Sequence, residues 1–389
     1  MTAEHWPRAL ETDALVVGGG IFGAATAYHL ARFGVEVVLV DRADPGAEAS
    51  GGNAGSLHLQ LSPSYFAGKS EAFRQGFAAM LPFFVAAVER WKALASELLR
   101  GIELTVKGGL MVAETDAQMR VLRGKVEMER AHGLDIHMLT ADDVRREAPY
   151  LGDAVIGAAF CPGEGKANPL AAVTGLLDGA RSAGARVMAE AEVTHVESVS
   201  GGWSVGTSRG GILCRRLIIA AGLWSEGLVA KLGIALPITH RPIHVNVTET
   251  CRPFIGHLIQ HAELRLTLKQ VGAGNIIVGG GWPATLDPEF ARPAVLRESV
   301  QNSLWLAQHI VPRVGGLNLL RCWASRNSYT PDGKPILGAH PGAPGLYFAV
   351  CNTFGFTLGP LCGLLVAEAV AGRQQSFDLE PYSAARFGA

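Results

Sequence analysis

The sequence predicts an α/β chain of two interleaved domains, and three observations carry that prediction. Near the N terminus a buried strand, a glycine-rich turn, a helix and a second buried strand follow one another. Further strand-to-helix passages are spread to the far end of the chain. Its 389 residues exceed the usual size of one domain.

The first unit is ALVVGGGIFGAATAYHLARFGVEVVLVDR, from Ala14 to Arg42. Ala14 to Val17 is a short apolar run of the kind that forms a fully buried parallel strand. Gly18, Gly20 and Gly23 follow in the spacing G-x-G-x-x-G. Gly18 permits the tight turn, Gly20 lets a pyrophosphate approach the positive end of the next helix, and Gly23 lets that helix pack close to the strand. Ala24, Ala27, Tyr28, Leu30 and Ala31 recur at helical spacing, and Gly34 marks the stop. Val37 to Val40 is a second buried strand. It ends in Asp41, whose carboxylate can accept both hydroxyls of an adenosine ribose and would repel a 2′-phosphate. In this order the elements make a Rossmann-type dinucleotide-binding unit.

Composition limits what else the chain does. A formal net charge of −1, with lysines and arginines not gathered into runs, leaves no footprint for nucleic acid. The six cysteines, Cys161, Cys214, Cys251, Cys322, Cys351 and Cys362, show no C-x-x-C pair and no metal-ligand spacing, so they read as buried thiols of a reducing compartment and no metal is expected. MTAEHWPRALETD at the N terminus is polar and acidic, unlike a secretory signal or transit peptide. The best membrane candidate, Phe77 to Val88, is too short to span a bilayer and is interrupted by Pro82. A core helix starting near Pro82 accounts for it, with peripheral attachment as the alternative. The expectation is a cytoplasmic protein without a transmembrane segment, soluble or peripheral to the inner membrane.

The later elements decide which dinucleotide. A helix is expected from about Pro169 to Ser182, then a strand with Val193 near its end. Leu217 to Ala221 is another apolar strand, ending at Gly222 and passing into a helix. From Tyr329 onward come a turn, two short strands and a long helix beginning near Leu358. An NAD domain would be complete within one contiguous half, whereas the flavin end of FAD needs residues brought back from the C terminus.

On these residues the chain resembles the D-amino-acid oxidase-like family of FAD-dependent oxidoreductases, which includes glycine oxidase, sarcosine oxidases and D-amino-acid dehydrogenases. The carriers are the glycine fingerprint with Asp41, IIAAGLWS from Ile218 to Ser225, TPDGKPILG from Thr330 to Gly338, and GFTLGPLCGLLVAE from Gly355 to Glu368. EASGGNAGSLHLQL, from Glu48 to Leu61, looks most like the β subunits of heteromeric opine, hydroxyproline and proline dehydrogenases.

The resemblance implies a Rossmann-type FAD-binding domain over residues 1–90, 145–230 and 325–389. A smaller α+β substrate domain with a mixed or antiparallel sheet takes 91–144 and 231–324. FAD is expected without a covalent bond, since Ser325 stands near the place of the attaching cysteine of monomeric sarcosine oxidases and GKANPLAAV lacks the attaching histidine of the heterotetrameric enzyme. The implied FAD contacts are Gly18, Gly20, Ile21, Phe22, Gly23, Asp41 and Arg42, then Ser50, Gly51, Asn53, Ala54, Gly55 and Leu57. Val193, Ala221, Gly222 and Trp224 follow, and Asn352, Thr353, Phe354, Gly355, Phe356 and Thr357 close the set. Backbone amides around Gly355 to Gly359, at a helix N terminus, could stabilise the charge of reduced flavin by about 0.3 to 1 kcal/mol, with Gly355 and Gly359 allowing close approach to the ring.

The implied reaction is oxidation of a C–N bond in an amino or imino acid to an imine, by a dehydrogenase that is one subunit of a larger complex. Its partner subunits would carry a second flavin or an iron–sulfur cluster. A stand-alone oxidase producing peroxide and a non-catalytic electron-relay subunit are the alternatives. Relatives often hold the substrate carboxylate with an arginine in GLRP just before TPDG. Here WASRNSYTPDG puts Asn327 at that place and Arg326 one residue earlier. A one-residue shift on a strand turns a side chain to the opposite face, so Arg326 qualifies only if the segment is irregular. Arg326, Tyr329, His58, Lys269 and Arg241 are the candidates for positioning substrate, with Trp323, His240 and His244 nearby; core packing or solvent is the plain alternative for each.

Overall fold

The computed structural model describes residues 9–66, 68–290, 292–350 and 353–388. The N-terminal unit forms as its pattern requires. Strand β1 (Leu10–Val17) is followed by helix α1 (Ile21–Arg32) and strand β2 (Val37–Val40), which lies parallel to β1. Every residue of α1 from Ile21 to Ala31 is buried, because the helix is enclosed between the sheet and a second helix.

β1 also pairs in parallel with β3 (Gly210–Ile219). The first half of β3 pairs with Gly202–Thr207, and its second half takes Leu346–Val350 in parallel. The eight-stranded sheet is completed by Arg186–Met188 beside β2, by Val193–Val199, and by Ile336–Ala339. Val193 opens its strand instead of lying near the end of one, and β3 reaches back to Gly210 and stops at Ile219.

Helix α2 starts at Gly355, one turn before the expected Leu358, and runs to Val370. It crosses α1 at two glycines. A Cβ on Gly359 would lie 2.7 Å from Ile21 Cγ1, and one on Gly363 would lie 2.4 Å from Ala25 Cβ. The glycine at 359 therefore serves helix packing, not approach to a ring.

The second eight-stranded sheet holds β4 (Thr239–Thr250), β5 (Thr267–Gln270) and β6 (Leu319–Tyr329). Its order is β6, β4, Asn275–Gly279, β5, Leu258–His261, Gly109–Ala113, Gly157–Cys161, His137–Thr140. All its pairs are antiparallel except that of Leu258–His261 with Gly109–Ala113. Gly157–Cys161 thus lies in this sheet although it falls between residues 145 and 230, and β6 runs unbroken across position 325. A small sheet of Ser56–Leu57, Gly165–Lys166 and Thr105–Val106 ties the Glu48–Leu61 segment between the two large sheets. Leu81–Glu97 is a helix with Pro82 in its first turn, and its apolar face is core. Among the described residues no helix is long and apolar enough to cross a membrane.

Candidate functional site

At the C-terminal ends of β1, β2 and β3 lies a cavity of about 380 Å³, the place where an open α/β sheet takes a nucleotide. Gly18, Gly20, Ile21, Phe22, Asp41, Arg42, Ser50, Asn53, Val193, Ala221, Gly222, Trp224, Thr353, Gly355 and Phe356 border it. The turn is built on close approach. Gly18 has φ +108°, and a Cβ there would meet Ala220 O at 2.5 Å. A Cβ on Gly23 would meet Gly18 O at 1.9 Å. Gly20, at the N-cap of α1, has no side chain to cap it, and the first turn holds no acidic residue, which suits a phosphate. Ile21 N donates to Ser50 Oγ at 2.9 Å, so Ser50 is already at the pyrophosphate end.

Asp41 Oδ2 accepts from Gly19 N at 2.6 Å and its Oδ1 from Ala43 N at 3.0 Å, which fixes the carboxylate at the end of β2. The Arg42 guanidinium lies 3.7 Å from the Trp224 ring centroid. These residues fit FAD: a helix N terminus without a side chain at its cap, a turn a Cβ would fill, and an anchored acid at the end of β2 bordering the cavity. Asp41→Ala should give a folded protein that loses flavin on gel filtration; stoichiometric FAD in that variant would remove Asp41 from the ribose role.

A second cavity, of about 660 Å³, opens beside the first between the two large sheets. Asn53, Arg326, Asn327, Thr353 and Phe356 border both. Ala54, His58, Arg241, Tyr329, Phe354 and Thr357 border the second alone. Some expected contacts border neither. Gly23 packs on Gly18, Gly51 on Gly46, and Gly55, at φ +72°, on Ala167. Leu57 is core, and Asn352 and Cys351 lie outside the described residues.

The substrate-positioning candidates separate by strand geometry. β6 is regular through Tyr329, so the irregular segment that Arg326 needed is absent. Asn327 and Tyr329 share a face, with Asn327 Nδ2 3.4 Å from Tyr329 Oη, and Trp323 Nε1 on that face donates to Gly52 O at 2.8 Å. Arg326 turns the other way, its guanidinium 6.0 Å from the Trp224 ring. Cross-strand pairing sets Arg241 of β4 opposite Asn327, and its exposed guanidinium lies 5.7 Å over the Tyr329 ring. His240 is exposed, and His244 is buried against Asn246 and Ser303.

Lys269 borders neither cavity. It is fully buried behind the second, donating to Ser56 Oγ at 2.6 Å, and burial, reinforced by the Lys166 charge, pulls its pKa down to about 7. A folded pKa below the unfolded value of 10.5 means that stability rises with pH between 7 and 10.5. Chemical denaturation should show this slope, at most about 1.4 kcal/mol per pH unit, in the parent chain and not in Lys269→Met.

His58 is held neutral: burial, then the Lys269 charge, lowers its pKa to about 3. Its backbone N–H donates to Thr357 Oγ1 at 3.1 Å, tying the loop to α2, and its Nδ1 lies 3.9 Å from Glu164 Oε1. Glu164 was not among the expected residues. Fully buried, it accepts from Leu59 N, Gln60 N, Gln60 Nε2 and Gln260 Nε2, and burial raises its pKa to about 7. CPGEGK carries no spacing that would mark it, because every partner is distant in sequence. Among the described residues no group of three His, Cys, Asp or Glu could hold a metal ion.

The charges around the second cavity are one-sided. Among its described lining residues Lys69, Arg241, Arg265 and Arg326 are cationic, and none carries a carboxylate.

Comparison with known proteins places these cavities in context. The family model described as "DAO: FAD dependent oxidoreductase" matches residues 13–369. Glycine oxidase of Geobacillus kaustophilus (strain HTA426) is 29% identical over 96% of this chain and 97% of its own length. One opine oxidase subunit from Rhizobium meliloti is 28% identical over 97% and 98%. The crystal structure of glycine oxidase from Geobacillus kaustophilus superposes with a TM-score of 0.85 at 27% identity, covering 97% of this chain and 99% of that one.

Proposed function

Because the chain belongs to the DAO family of FAD-dependent oxidoreductases and is an amino-acid oxidoreductase of the glycine, sarcosine and opine oxidase type, we propose the following finer activity. The protein oxidises the C–N bond of an amino, imino or N-alkyl amino acid to an imine, as the catalytic subunit of a heteromeric dehydrogenase with non-covalent FAD. The observation that carries this reading is the cation-lined cavity opening onto the nucleotide cradle, with Arg241 over Tyr329. FAD, when bound, supplies the acceptor for the hydride that leaves the substrate's α-carbon.

The chain's residues do the rest by position. Arg241 offers a two-pronged donor to a carboxylate. Phe354 and Phe356 supply apolar walls that exclude water. A wall of cations without acids disfavours a bound ammonium, so the amine is held in its unprotonated, reactive form. Neutral His58 adds no charge against it. The multisubunit part is supported by similarity along nearly the whole chain to that opine oxidase subunit and to the sarcosine oxidase β subunit of Rhizobium meliloti (strain 1021).

The test is anaerobic flavin reduction with sarcosine, D-amino acids, proline, hydroxyproline and opines. Reduction by one of them is the expected result. Failure of all, with FAD bound, would favour the relay-subunit reading, to which Asn327 at the arginine's usual place also points. Substrate-dependent peroxide at full turnover by the purified chain alone would overturn the multisubunit part. Arg241→Ala should weaken the reducing substrate ten- to hundredfold, the value of about 1.5 to 3 kcal/mol for a charge-assisted contact, with FAD content unchanged.

A further inference from the structure

The chain is electrically balanced, with 34 basic and 35 acidic residues, yet the charged side chains among the second cavity's described lining residues are all cations. Three of them border that cavity and not the nucleotide cradle. Arg241 comes from β4. Arg265 precedes β5 and is held by Gly281 O at 2.8 Å, and Lys69 lies 4.9 Å over the Phe73 ring. All three are exposed to the cavity mouth, and none forms an ion pair among the described residues. Glu164, 3.9 Å from the lining residue His58, is fully buried, with its hydrogen bonds already taken by Gln60, Gln260 and two backbone amides.

One monocarboxylate would answer one of these charges and leave the others repelling one another. Uncompensated like charges around a cavity raise the potential within it and draw a polyanion there. Arg241 is on β4 and Arg265 on the loop before β5, so their guanidiniums can take separate carboxylates of one molecule. A volume of about 660 Å³, shared with a flavin ring, leaves room for more than glycine.

We propose that the substrate is a dicarboxylate, a secondary amine with a carboxylate on each side as in an N-(carboxyalkyl) amino acid, one end on Arg241 and the other on Arg265. This rests on the reading that the second cavity is where the amine is oxidised. Lys69, on the loop beside the mouth, adds attraction without fixed geometry.

The experiment uses the FAD-loaded chain together with any subunits that copurify. Iminodiacetate and sarcosine are both N-alkyl glycines and differ by one carboxylate. Anaerobic titration should show iminodiacetate reducing the flavin with an affinity at least tenfold tighter. In Arg265→Ala the ratio of the two affinities should fall towards one, while Arg265→Lys keeps part of it. Thiodiacetate and (methylthio)acetate, which have no amine to oxidise, should show the same order in calorimetry. Equal or tighter affinity for the monocarboxylates, with flavin still reduced, overturns the dicarboxylate proposal and leaves the amine-oxidation reading standing. A flavin that no amine reduces removes both.

Discussion

Gly23→Ala should yield a protein that purifies without FAD. The added methyl would sit 1.9 Å from Gly18 O, a backbone atom that no side-chain motion can move aside. Something must shift, and the neighbours on both sides are fixed. Gly18 is held by Val40 O at 2.8 Å through its own N–H, and α1 is pinned from behind by α2. The turn therefore opens and carries the start of α1 away from where the pyrophosphate would lie. Flavin absorbance after desalting, beside far-ultraviolet circular dichroism to confirm folding, measures the outcome. A folded Gly23→Ala protein with full FAD would show that the cradle is soft and that the close contact is not what shapes it.

Lys125→Met should cost about 3 to 5 kcal/mol of stability at neutral pH, the usual effect of removing one partner of a buried ion pair. Lys125 and Glu129 lie one turn apart on the helix Asp116–Ala131, with Nζ 2.6 Å from Oε2 and Glu129 fully buried. Glu129 also accepts from Leu61 N at 2.6 Å, and Lys125 donates to Gln60 Oε1 at 3.1 Å, so the pair holds the loop that carries His58. Burial already raises the Glu129 pKa against the pull of Lys125. Without the ammonium it rises further, so the deficit is smallest in acid, where Glu129 is protonated in both states, and grows as pH rises towards the folded pKa. Urea denaturation at about pH 5 and pH 8 reads the sign. A loss below about 1 kcal/mol at pH 8 would mean that the pair is worth no more than an exposed one.

What was legible in the sequence was what short stretches of backbone decide. The strand, turn, helix and strand to Asp41 follow from neighbours a few residues apart, and they stand as expected. The side chains behind the second cavity depend on distant segments. Lys269 meets Ser56 across 213 residues, and Glu164 meets Leu59 across 105. Arg241 could be set beside Arg326, His240 and Lys269 as a candidate. Only the pairing of β4 with β6 puts it over Tyr329, while regular alternation turns Arg326 towards Trp224. Gly359 shows the reverse error: read as a gap for a flat ring, it is a gap for Ile21.

The crossing of α1 and α2 also fixes an order of events during synthesis. The ribosome makes α1 long before α2, so Gly359 and Gly363 are seated on Ile21 and Ala25 only once α2 has been made. Until then the apolar flank of the first helix has no cover, and the parallel neighbour of β3 at Leu346–Val350 does not yet exist. Contacts that bridge nearly the whole chain form slowly and leave sticky intermediates. The nascent protein must therefore carry its nucleotide cradle half-built until α2 has been made, and flavin can be captured only after that.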